Sequence, residues 1–116
     1  MAGMGKELSR EEAIMKIKEV ILSTAEKFGI KVEKIILFGS RARGDYKKES
    51  DWDILVVTRE KLGWMLRKEF LAEILRNLIK SKIKTDILII DKDAFEEYKK
   101  WKGFVYHHAA TEGIAV

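Results

Sequence analysis

The chain contains no cysteine, which excludes disulfides and thiolate-ligated zinc sites. Its only histidines, His107 and His108, are adjacent. On a helix they point about 100° apart, so they do not make a zinc site. Long apolar runs are also missing, and the runs present are too short to span a bilayer. Residues 1–6 lack the apolar core of a signal peptide. The expectation is a cytoplasmic protein with no membrane partner. Glutamine is absent and asparagine occurs once, as Asn77, a balance seen in thermophilic proteins. That bears on habitat and not on activity.

What is present bounds the rest. The 116 residues suit one domain, residues 1–116. Hydrophobic residues make up 47%, enough for a core and too many for global disorder. The net charge is +4, but 19 acids accompany 23 bases. This reads as a charged, solvated surface at least as readily as a nucleic-acid footprint.

Ser9-Arg10-Glu11-Glu12 has the form of a capping box. Ile14, Ile17, Ile21, Ala25 and Phe28 then mark one helix face, which Gly29 closes. Residues 31–38 read as a strand. A loop from Gly39 to Ser50 follows, with a short helical turn starting at Ser40. Residues 52–58, nearly all apolar, form a central strand. Glu60 to about Lys82 reads as a helix burying Leu66, Phe70, Leu71, Ile74, Leu75, Leu78 and Ile79. Residues 84–90 form a third strand. Asp93 caps a helix carrying Tyr98 and Trp101, and a last segment runs from Phe104 to Glu112 and ends at Gly113. The fold class expected is α/β of the α+β type: a small mixed β-sheet with flanking helices.

The chemistry gathers where these strands start and stop. The helix between strands two and three suits a parallel crossover. With strands one and two antiparallel, Gly39, Ser40, Asp51, Asp53 and Asp86 meet at one end of the sheet. Asp51 and Asp53 share a face because strand side chains alternate. Three clustered carboxylates repel unless a cation joins them, and Mg²⁺ is the natural occupant. In a two-metal site the ions lie ~3.5–4 Å apart, a gap that paired aspartates can bridge. Asp86 would ligate the second ion and orient or deprotonate a nucleophile. Gly39 lets backbone N–H groups approach a phosphate, and Ser40 adds a hydroxyl at the start of a helical turn. Arg41 and Arg43 can neutralise phosphate charge or dock an acidic partner, or stand as solvated loop charges. Asp45, Lys47 and Lys48 read as solvated. Trp52, between two acids, must face away from them into the core. Trp64, Tyr98, Trp101 and Tyr106 suit either a core or a partner interface.

Gly39-Ser40, then ten residues, then Asp51-Trp52-Asp53 with the later Asp86, resembles the nucleotidyltransferase superfamily typified by DNA polymerase beta. Gly39-Ser40-Arg41-Ala42-Arg43-Gly44 with Ser50-Asp51-Trp52-Asp53-Ile54-Leu55-Val56 is similar, more narrowly, to the minimal nucleotidyltransferases, the MNT proteins of archaea and bacteria. The resemblance implies transfer of a nucleoside monophosphate, AMP from ATP, onto a hydroxyl with Mg²⁺ and release of pyrophosphate. It implies that Gly39 and Ser40 bind the triphosphate and that Asp51, Asp53 and Asp86 hold metal. It also implies a separate helical HEPN protein as partner, toward which MNT members act as antitoxins and some adenylylate a tyrosine. No acceptor-binding domain is present, so a partner chain or a homo-oligomer is expected to complete the site. Two other functions stay open: an antitoxin acting by binding alone, and an enzyme modifying a small hydroxylated compound, as aminoglycoside nucleotidyltransferases do. Nucleic-acid polymerisation is disfavoured, since nothing here could hold a template.

Overall fold

The computed structural model describes residues 8–116. The segment of residues 1–6, read above for a signal peptide, lies outside the described residues.

Helix α1 spans Arg10–Phe28. Its start is the expected capping box: Ser9 Oγ accepts from the Glu12 N–H, and the Glu12 carboxylate accepts from the Ser9 N–H. Its end is Gly29, whose φ of 70° is the left-handed conformation that glycine adopts without a Cβ penalty. Strand β1 follows at Val32–Phe38, then a single turn of helix, α2, at Ser40–Arg43. Strand β2 is Trp52–Thr58, helix α3 Trp64–Lys80 and strand β3 Thr85–Asp91. Helices α4 (Lys92–Tyr98) and α5 (Val105–Glu112) lead to a two-residue strand, β4, at Ile114–Ala115.

The sheet order is β3-β2-β1-β4. β1 runs antiparallel to β2 and β4, and β2 runs parallel to β3, as the helical crossover suggested. The sheet is therefore mixed, and β2 lies inside it, consistent with its unbroken apolar run. Alternation along the strands divides the core into two layers. Ile35, Leu37, Trp52, Ile54, Val56, Ile87 and Ile89 pack with α1 and α3. Ile36, Phe38, Leu55, Val57 and Ile90 pack on the other face with Phe95 of α4 and Ala109 of α5.

Four expectations are corrected. Helix α3 begins at Trp64 and not at Glu60, because the Thr58 hydroxyl donates to the Glu60 carbonyl at 2.8 Å and Gly63 is the N-cap. Ile79 is 65% exposed: it stands about 100° off the fully buried line of Phe70, Ile74 and Leu78. The cap of α4 is Asp91, whose carboxylate accepts from the Ala94 N–H at 3.0 Å. The helix ends at Tyr98, and Trp101 falls beyond it. Strand β4 was not anticipated, since two residues carry no periodicity.

The core assignment has a direct test. Phe70→Ala should lower the unfolding free energy by about 3–5 kcal/mol, and Ile79→Ala by no more than about 0.5 kcal/mol. Urea titration followed by circular dichroism measures both.

Candidate active site

The loop between β1 and β2 is shaped by two glycines. Gly39 has φ 71° and ψ −158°, and Gly44 has φ 93°. Between them the Gly39 carbonyl accepts from the Ala42 and Arg43 N–H groups at 3.1 Å each, and the Gly44 N–H donates to the Ser40 carbonyl at 2.9 Å. This is the helical turn expected from Ser40. A Cβ at Gly39 would overlap a carboxylate oxygen of Asp53. Glycine is thus required here twice over, by its positive φ and by the acid lying against its backbone.

Asp53 is the middle of the site. Its Cα is in register with Phe38 of β1 on one side and with Asp86 of β3 on the other. Gly39 directly follows Phe38, so three chain segments meet at one strand-end. Alternation turns Asp53, like Leu55 and Val57, to the face covered by α4 and α5, while Trp52 turns to α1 and α3. Trp52 is buried, as expected of a residue between two acids. Asp53 is half-buried, whereas Asp51, just before β2, and Asp86, at the start of β3, are exposed. Burial raises the Asp53 carboxyl pKa above its ordinary 3.8; the negative charges of Asp86 and Asp51 raise it further, and Arg43 opposes them.

The donor set of hard carboxylate oxygens around poorly compensated negative charge suits Mg²⁺ better than a soft metal. Among the described residues, no three of His, Cys, Asp and Glu are grouped closely enough to hold a metal ion as they stand. The acids share one end of the sheet without converging on one point.

The two arginines differ. Arg43 is exposed, with Nε 3.4 Å from Asp45 and Nη1 3.5 Å from Glu112 of α5. Arg41 lies within the loop. Its Nε and Nη2 donate to the Ser50 carbonyl at 3.2 and 2.8 Å, and Nη2 also donates to the Lys48 carbonyl at 3.2 Å. Its guanidinium carbon stands 4.4 Å from the ring centres of both Tyr46 and Trp52. Asp45, Lys47 and Lys48 are exposed.

Glu112 and the Tyr46–Arg41–Trp52 stack were not singled out from sequence. Glu112 lies far along the chain from Arg43, and no local pattern marks the pair. On the same side of the molecule the His107 Nδ1–H donates to the Lys99 carbonyl at 2.9 Å, and His108 Nδ1 is 3.7 Å from Glu112. Tyr98, Phe104 and Tyr106 are in ring contact, and Trp101 stacks on Phe104. Tyr98, Trp101 and Phe104 are exposed, Trp101 by 56%.

A strand-loop-strand unit with Gly-Ser at its turn and acids in register on two parallel strands defines a class. The chain belongs to the family described as Polymerase beta, Nucleotidyltransferase, which matches residues 12–106. Among relatives, it is 56% identical over 41 residues to a Methanocaldococcus jannaschii protein that carries the name putative protein adenylyltransferase. That stretch is 35% of this chain and 41% of the relative, so the match spans less than half of the relative's length. Among solved structures, the fold matches a nucleotidyltransferase of Sulfolobus solfataricus, itself named putative, with a TM-score of 0.57 and 27% identity over 97% of this chain and 90% of that one. It also matches, with a TM-score of 0.53 and 18% identity over 89% of this chain and 70% of the other, a chain in the complex of a tri-AMPylated Shewanella oneidensis HEPN toxin with MNT antitoxin. This last likeness is one of fold. No described helix is long and apolar enough to cross a membrane.

The Asp53 environment predicts a pH-dependent stability. A carboxyl whose folded pKa is raised stabilises the fold fully below its unfolded value, and that contribution is lost as pH rises through the folded value. Asp53→Asn should therefore match the wild type near pH 3 and exceed its Tm at pH 7. Differential scanning calorimetry in metal-free buffer at several pH values reads the gap.

Proposed function

We propose that this protein is a Mg²⁺-dependent nucleotidyltransferase that moves AMP from ATP to a hydroxyl on a helical partner protein of the HEPN type, acting as its antitoxin. The observation that carries the reading is the in-register pair Asp53 and Asp86 beside Gly39, whose positive φ strains any residue with a side chain. Family membership and the adenylyltransferase name of a relative support the chemistry. The fold likeness to the toxin–antitoxin complex supports the partner.

Asp51, Asp53 and Asp86 would hold Mg²⁺. When bound, the metal neutralises triphosphate charge and lowers the pKa of the attacking hydroxyl. The backbone at Gly39 and the Ser40 hydroxyl hold the triphosphate, and Arg43, on the site side of α2, adds positive charge. The acceptor oxygen bonds to the α-phosphorus as the bond to pyrophosphate breaks, and Asp86 takes the hydroxyl proton. Asp86 suits that role because it is exposed at the mouth of β3, where an acceptor on another chain can reach it. No protein nucleophile is needed, since such transfers rest on positioning and charge stabilisation.

A second reading, neutralisation of the partner by binding alone, is favoured by the exposed rings of Tyr98, Trp101 and Phe104, a composition common at interfaces. One experiment separates the two. The protein is incubated with labelled ATP, Mg²⁺ and a HEPN partner, and the products are read by intact mass. On the first reading the partner gains one or more adenylates, and Asp51→Asn with Asp53→Asn cuts the rate by about a hundredfold or more, the loss of several kcal/mol of charge stabilisation, while the complex still forms. Complex formation with no adenylate on any acceptor would establish the second reading instead.

A further inference from the structure

The Gly39-Ser40 turn and Asp51 are separated by a loop whose residues 44–49 are exposed, with no apolar core of its own. A phosphate-binding turn and a metal-binding acid must nevertheless keep a fixed distance to act on one substrate, since a misplacement of about 1 Å costs roughly a hundredfold. Part of the loop closes on itself. The Ser50 N–H donates to the Lys47 carbonyl at 3.0 Å, and the Lys47 N–H donates to Ser50 Oγ at 2.9 Å. These bonds shape residues 47–50 but do not attach them to anything.

Arg41 makes the attachment. It sits in α2, one residue after Ser40, and donates to the carbonyls of Lys48 and Ser50. Its guanidinium carbon packs 4.4 Å from the ring centres of Tyr46, from the loop, and Trp52, from the core. The Ser50 carbonyl belongs to the same planar peptide unit as the Asp51 nitrogen, so holding one orients the other. The next residue, Trp52, is anchored by its N–H to the Lys84 carbonyl at 2.9 Å. Asp51 is thereby held from both sides. A planar fork with two stacking faces can do this; a lysine, a point charge on a flexible stem, cannot.

We infer that Arg41 is a positioning residue, which clamps the loop so that Asp51 stands at a set distance from the Gly39-Ser40 turn, and that it is not a phosphate ligand. The inference rests on the nucleotidyltransferase reading for its consequence in catalysis, but the clamp is observable without activity.

The test uses the full chain with Arg41→Lys and Arg41→Gln, and with Tyr46→Ala, which removes one stacking face at an exposed position and spares the core. Amide exchange is followed by NMR without metal or nucleotide. The clamp predicts that the Lys47 and Ser50 amides exchange about tenfold faster in both Arg41 variants, and faster to a smaller degree in Tyr46→Ala, while β2 amides change less than about twofold. Steady-state transfer should then show kcat lowered about tenfold in both Arg41 variants, with KM for ATP within about twofold. Arg41→Lys, despite keeping its charge, should be no better than Arg41→Gln. Unchanged loop exchange in the Arg41 variants, or a raised KM for ATP that Arg41→Lys restores, overturns the proposal in favour of a phosphate contact. A wild type that transfers nothing would sink the enzymatic reading alone, with the exchange rates still deciding the clamp.

Discussion

The Asp53 carboxylate lies against the backbone of Gly39, half-buried, with Asp86 in register beside it and Asp51 two positions earlier on the chain. Much of the local architecture follows from that placement. The strand before Gly39 must run antiparallel to β2 so that its exit reaches the entrance of β2. The strand bearing Asp86 must run parallel to β2, which demands the α3 crossover. The turn residue must lack a side chain. Negative charge gathered in this way works against folding, as the raised Asp53 pKa indicates. A site that costs stability where it stands is the pattern expected when binding, rather than packing, sets the residues.

The surrounding positive charge is divided by geometry and not by type. Arg43 and Arg41 stand two residues apart on one helical turn, so they leave it in different directions. Arg43 is exposed toward α5, where Asp45 and Glu112 flank it, and its charge reaches Asp53. Arg41 is turned to the loop, bonded to carbonyls and covered by rings. One short turn thus sends one arginine toward α5 and the other into the loop. The α4 and α5 layer adds a third element. It covers the same sheet face that bears Asp53, places Glu112 beside Arg43, and presents Tyr98, Trp101 and Phe104 to solvent. A partner docking on those rings would approach from the layer that borders the acids.

Much of this was legible in the residues. The capping box at Ser9, the left-handed glycine at 29, the turn from Ser40 and the three long strands all rest on local rules: side-chain hydrogen bonding, backbone sterics, and the twofold and 3.6-fold periods of strand and helix. Those rules act over a few residues, so sequence carries them. The errors lie where neighbours in space decide. Apolar periodicity could not show that Thr58 would hold Glu60 out of α3, nor that Ile79 would be left exposed on the flank of the buried line. Asp91 and Asp93 are equally good caps by composition, and the end of β3 chose between them. Strand β4 exists only because β1 offers it an edge.

The amino-acid order by itself determined the class of fold and the family, because each depends on residue type and spacing. Tertiary structure alone decided which neighbours those residues meet. It placed Asp53 against Gly39, put Glu112 next to Arg43, and set Arg41 against the Tyr46 and Trp52 rings with its donors on the loop. Such contacts join segments distant along the chain, and their energies depend on a separation in space that no local pattern encodes.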